Sequence, residues 1–311
     1  MKRVLTIFLA LVVLGTAQLT VAQPTDPAAG LVSSWVLVAL DRNVNAGEST
    51  RAQTPRGLLV IDAAGNVFEF FSSTGREELE GPQRTLANFG GFWGKYTVDA
   101  ERGQIEFTAA DGVSPNLQGL EFSRAFELDG DRLVVTSMDE PQAQGHNRWI
   151  WQRMPTVENL SPAYRQVVGF WQHVEESQVN EATGEVLRTS ERAPSVIVYT
   201  PGGFVGVHFP SLGRETFAGD SPTAEEAQAG LRGYIGYFGT LGVYPGEVTH
   251  NILSGISPTT GSILRRYADI NGDELVVRLQ ATGAEPQTDR PRNVTTVLLR
   301  RLSGADDMLP R

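Results

Sequence analysis

Gly130-Asp131-Arg132-Leu133-Val134-Val135 returns in the second half of the chain as Gly272-Asp273-Glu274-Leu275-Val276-Val277. Working outward, Ser33-Ser34-Trp35 is matched by Gly169-Phe170-Trp171, and the stretch from Pro55 to Val67 by the stretch from Pro194 to Val205. Phe89-x-x-Phe92-Trp93-Gly94 matches Tyr234-x-x-Tyr237-Phe238-Gly239, and Ser114-Pro115 matches Ser257-Pro258. Trp149 to Arg153 closes the first copy as Val297 to Arg301 closes the second. The anchors keep one order with small drifts in offset. They define two units of about 130 residues each, an ordinary domain size.

Within each unit the apolar period is two. Leu58 to Asp62 and Asn66 to Phe71 flank Ala63-Ala64-Gly65, which is hairpin chemistry, and Asp129-Gly130 and Asn271-Gly272 are further turn signals. Many short strands joined by turns predict an all-β chain of two tandem antiparallel barrels, because closing a meander removes its edges. The expected bounds are 28–154 and 163–303. One short helix is predicted in the second unit. There Thr223-Ala224-Glu225-Glu226 is a capping box, Pro222 precedes it, and the helix runs to about Arg232. Such an element could cover a barrel mouth.

Residues 1–22 read as a secretory signal peptide. Lys2 and Arg3 precede a short apolar run, and Thr20-Val21-Ala22 offers a cleavage site. The expected location is therefore periplasmic or secreted, with no membrane span in the mature chain. The chain has no cysteine, which removes disulfides, thiolate metal sites and thiol nucleophiles. Its net charge of −10, or −12 once Lys2 and Arg3 are removed, argues against nucleic acid as a partner.

Gly169-Phe170-Trp171 at the head of a strand is similar to the Gly-x-Trp signature of lipocalins. Together with Thr200 to Phe204, Ala224 to Thr240 and Val248-Thr249-His250, it resembles the bacterial lipocalin-like domain family across nearly all of unit two. Unit one resembles it more loosely. It carries Ser33 for the first glycine and lacks the charged helix and the histidine. The resemblance implies a small-molecule pocket inside an antiparallel barrel.

The repeat acts as its own control for site residues. His173 aligns with Leu37, His208 with Phe70 and His250 with Phe107, so unit two places imidazoles where unit one is apolar. Strand parity sends His173 and His250 inward and leaves His208 undecided. Arg124 and its counterpart Arg266 also point inward. Each either stacks on a barrel tryptophan or binds a ligand carboxylate or phosphate. Arg153 and Arg301 are rival candidates for the stacking role, and if they fill it Arg266 is freed. Tyr234 and Tyr237 are candidate hydroxyl donors. The predicted ligand-binding residues are thus His250, Arg266, His173, Tyr234 and Tyr237, with no metal and no cofactor.

No nucleophile elbow, phosphate loop or dinucleotide fingerprint occurs. The function expected first is an exported protein that binds a small, partly apolar and anionic molecule in the second barrel. The alternative, from the likeness to tandem lipocalin-like enzymes, is a cyclase or isomerase acting on a polyketide- or terpenoid-like substrate. A third is a metal protein using His173, His208 and His250.

Overall fold

The computed structural model describes residues 27–44, 49–74, 80–138, 146–157, 159–219, 221–257, 260–279 and 293–309. The leader expected over residues 1–22 lies outside them. Each half is a closed antiparallel barrel. The first comprises β1 (Ser33–Arg42), β2 (Thr50–Arg51), β3 (Arg56–Ile61), β4 (Asn66–Ser72), β5 (Phe89–Asp99), β6 (Gln104–Gly112), β7 (Glu121–Asp129), β8 (Arg132–Ser137) and β9 (Arg148–Arg153). The second comprises β10 (Gly169–Asn180), β11 (Val186–Ser190), β12 (Val196–Tyr199), β13 (Phe204–Pro210), β14 (Tyr234–Tyr244), β15 (Glu247–Gly255), β16 (Ile263–Asn271), β17 (Glu274–Leu279) and β18 (Asn293–Ser303). Strands follow chain order, and closure comes from β1 pairing β9 and β10 pairing β18. The short β2 and β11 extend β1 and β10 outside the eight-stranded ring.

Each barrel is plugged at one end by the same device. Short helices α1 (Pro27–Leu31) and α3 (Pro162–Val167) precede the first strands. Trp35 donates its indole N–H to Leu31 O at 3.0 Å and Trp171 to Val167 O at 2.7 Å. Arg153 lies 4.2 Å over the Trp35 ring and Arg301 lies 4.0 Å over Trp171. The terminal-strand arginines therefore fill the floor-stacking role, and Arg124 and Arg266 do not. At Gly169, φ is +138°, and a Cβ there would lie 2.0 Å from Ser303 O. That approach explains the glycine of the opening Gly-x-Trp.

The first barrel's core is built around a buried ion pair. Arg124 meets Glu69 at 2.8 Å, and both side chains are buried. The guanidinium also lies 4.3 Å over Trp149 and 5.2 Å over Phe122. Phe92, Phe107 and Phe122 stack edge-on or tilted beside it.

The outer faces of β3, β4 and β5 pack against those of β10, β12, β13 and β14. Phe68, Phe70, Trp93, Phe170, Val198, Tyr234 and Phe238 form one core that belongs to both halves. Every residue of β4 and β12 is buried for this reason. Phe68 rests on Gly206, where a Cβ would come within 2.4 Å of its ring.

His208 explains the ambiguity of its parity, since both faces of its strand are covered. It points outward into the shared core. Its Nε2 lies 2.8 Å from Glu69 O, which only accepts, so Nε2 carries the proton and Nδ1 accepts from the Tyr234 hydroxyl. Polar bonds lace the joint. Ser303 donates to Asp62 at 2.5 Å, Ser72 and Ser254 meet at 2.8 Å, and Trp93 donates to Pro194 O at 3.0 Å.

The predicted helix is α4 (Ala224–Arg232), and its capping box is formed. The corresponding segment of the first half, despite its Gly81-Pro82, also forms a helix, α2 (Gly81–Asn88). Pro82 sits in the first turn, where its missing N–H costs nothing. The two helices pack on each other across the joint. No residue of α4 lines the second barrel's cavity, so α4 is a clasp between halves and not a lid over that cavity. No helix among the described residues is long and apolar enough to cross a membrane.

Because Phe68 needs the bare backbone of Gly206, Gly206→Leu is expected to destabilise the protein by about 1–3 kcal/mol through overpacking of the joint. Scanning calorimetry should show one cooperative transition for the parent and two for the variant. One unchanged transition in the variant would contradict a shared core.

Candidate functional site

The second barrel repeats the frame of the first with smaller contents. Strand register fixes the equivalences. Phe107 opposes Phe122 as His250 opposes Leu264, and Ile105 opposes Arg124 as Val248 opposes Arg266. By the same reading Trp149 corresponds to Val297, Phe92 to Tyr237 and Glu69 to Val207. Exchanging Trp149 for Val297 and Phe122 for Leu264 opens space in the core. The result is a cavity of about 410 Å³ lined by Ile197, Val207, Tyr237, His250, Leu264, Arg266 and Val297, among others. That volume suits a small organic ligand.

His250 is 1 % exposed and lies between two tyrosines. Its Nδ1 is 2.8 Å from the Tyr237 hydroxyl and its Nε2 is 3.2 Å from the Tyr199 hydroxyl. Burial, aided by the Arg266 charge, lowers its pKa to about 3. The imidazole is therefore neutral, with one nitrogen donating and the other accepting. If Nδ1–H donates to the Tyr237 oxygen, the Tyr237 O–H is free to donate into the cavity. Burial raises the Tyr237 phenol to about 12 and moves Tyr199 higher still, so both keep their protons.

Arg266 lines the same cavity. Its Nη1 donates to Arg265 O at 3.0 Å, and it forms no ion pair among the described residues. Its counterpart Arg124 has Glu69, but the second barrel has Val207 there. The other cavity cation is accounted for, because Arg192 meets Glu176 at 2.5 Å.

The sequence-derived residues divide as follows. His250, Arg266 and Tyr237 come together on the cavity wall. His173 is half-buried, with its ring edge-on to Phe209 at 5.6 Å, and is not part of the lining. Tyr234 points the other way, into the joint, where it binds His208. Alternation along β14 puts Tyr237 inside and Tyr234 outside, so the two cannot serve one pocket. The three imidazoles weighed as a metal set do not converge, since His208 faces out and His250 faces in. Among the described residues no cluster of three or more metal-ligating side chains occurs. Tyr199 and the Glu176–Arg192 pair were not singled out from the sequence. The Glu69-to-Val207 exchange was legible there, one residue from the Phe70 and His208 match.

His250 and His208, the latter also lowered to about 3 chiefly by burial, have a consequence for acid stability. The unfolded chain takes up these protons near pH 6.5, while the folded chain resists until about pH 3. Their contribution is present above pH 6.5 and lost as pH falls, by up to about 1.4 kcal/mol per pH unit for each histidine. His250→Phe, which copies Phe107, should reduce the acid slope of the unfolding free energy by about that amount between pH 6 and 4. Urea titrations at several pH values measure it, and an unchanged slope would contradict a neutral, buried His250.

Residues 168–302 match the family model for the lipocalin-like domain. No curated protein matches the chain. Among solved structures the chain is similar to the uncharacterized protein YLR301w from Saccharomyces cerevisiae. The likeness has 10 % identity and a TM-score of 0.42, over 87 % of this chain and 98 % of that one. It is too distant to carry an argument. The second half is a lipocalin-like domain, and the first half repeats its barrel.

Proposed function

We propose that this protein is exported and binds a small amphipathic anion in its second barrel. The observation that carries the reading is the difference in charge pairing between the halves. Arg124 has a carboxylate built into its barrel, and Arg266 faces a cavity with Val207 in place of that carboxylate. A ligand acid group would supply the missing charge. Arg266 and the Tyr237 hydroxyl would donate to it, and Ile197, Leu264 and Val297 would cover the apolar body. Export is supported by the Lys2-Arg3 start, the apolar run after it and the small residues near Ala22.

The cyclase or isomerase alternative requires a group that exchanges protons near neutrality. His250, with a pKa of about 3, and Tyr237, at about 12, both lie far from that range. This favours binding over acid–base chemistry.

Isothermal titration with decanoate and with decanol tests the proposal. The parent should prefer the acid, and Arg266→Met should weaken decanoate by about ten- to a hundredfold. That range corresponds to one charge-assisted hydrogen bond of about 1.5–3 kcal/mol. Arg124→Met should leave affinity unchanged but cost about 3–5 kcal/mol of stability, because Glu69 is then buried without its cation. Equal decanoate affinity for the parent and Arg266→Met would overturn the assignment.

A further inference from the structure

A second cavity, also of about 410 Å³, opens at the mouth of the first barrel. The first barrel lines it with Arg42, Phe71, Leu86 and Trp149, and the second half with Phe217 and Pro222. The segment bearing those last two residues is stitched down. Asn116 donates to Phe217 O at 3.3 Å and accepts from Phe217 N at 2.7 Å. Gln83 donates to Pro222 O at 2.8 Å, and Arg214 donates to Gly112 O and Val113 O, both at 2.9 Å.

We propose that this cavity is a second ligand site, built by both halves together, for a small molecule with a flat apolar body and an anionic head. Two polar groups point to it. Trp149 is 3 % exposed, and its indole N–H has no acceptor among the described residues. By contrast, Trp35, Trp93 and Trp171 each donate to a carbonyl at 2.7–3.0 Å. A buried donor left unsatisfied is costly, and an acceptor on a ligand removes the cost. Arg42 is the second group. It donates to Ser73 Oγ and, at 3.4 Å, to Ala87 O, yet no carboxylate pairs with it among the described residues. Asp41, next to it in the chain, is already engaged by Arg51 and Arg148. Burial lowers the Arg42 pKa, as expected for a cation short of a counter-charge.

Trp149 also sets the depth of the site. Its ring lies against Arg124 and, edge-on, Phe71 at 5.8 Å. It closes off the core that Val297 leaves open in the second barrel. The Trp149 ring therefore lines this site and favours a flat apolar body, whereas the second-barrel cavity is lined by His250.

The test uses the full chain carrying Arg266→Met, with 1-anilinonaphthalene-8-sulfonate as probe, so that it does not rest on the second-barrel reading. The indole cross-peak of Trp149 is assigned by its loss in Trp149→Phe. It should move downfield during the titration and saturate with the dye's fluorescence. The cross-peak of Trp151, which also has no acceptor among the described residues but lies outside the cavity, should stay in place. Adding Arg42→Met should weaken this site at least tenfold, and Asn116→Ala, which frees the Phe217 segment, should weaken it as well. A Trp149 cross-peak that stays fixed while dye fluorescence saturates would overturn the proposal. So would unchanged dye affinity in Arg42→Met with its spectrum otherwise folded.

Discussion

A guanidinium inside a closed barrel needs a negative charge, and the two halves of this chain meet that need differently. In the first barrel Glu69 answers Arg124 at 2.8 Å, and aromatic rings pack around the pair. An ion pair so deep is held by geometry, since each partner would be stranded without the other. In the second barrel the arginine is kept, the carboxylate becomes Val207, and bulk is removed at Val297 and Leu264 around it. The cavity and a cation with no ion pair among the described residues follow from the same set of exchanges. His250 fits this economy of charge. Held neutral between Tyr199 and Tyr237, it adds hydrogen bonds without adding a second cation beside Arg266.

The halves are also one structure. Phe68 against Gly206, His208 against the Glu69 carbonyl, and Arg214 on Gly112 and Val113 join outer faces that an isolated barrel would give to solvent. Glu69 thus links the first barrel's interior to the joint through a single residue of β4. The carboxylate of Glu69 serves the first core, while its backbone carbonyl fixes the tautomer of a histidine from the other half. A side chain changed in one barrel is felt at the joint.

Much of this was readable in the sequence because a repeat exposes what it varies. Strand period, turn residues and the order of anchors were sufficient for two antiparallel barrels, and parity placed Arg124, Arg266 and His250 inside. Parity along β14 also separates Tyr234 from Tyr237, whereas the reading of His208 was limited by a physical cause. Alternation distinguishes faces only when one of them meets water, and β4, β12 and much of β13 are buried on both sides. The helix in the first half was obscured by Gly81-Pro82, where a proline in the first turn is a start signal rather than a break. The joint itself has no local signature, because it is written in outer-face residues of strands far apart in the chain.

The central claim is that Arg266 awaits a charge that the first barrel carries in its own wall. Val207→Glu restores that charge at the position of Glu69 and tests the claim most directly. Isothermal titration with decanoate should then show affinity reduced at least tenfold, with thermal stability equal to or above that of the parent, because the new carboxylate pairs with Arg266. Unchanged decanoate affinity in a folded Val207→Glu variant would contradict the account.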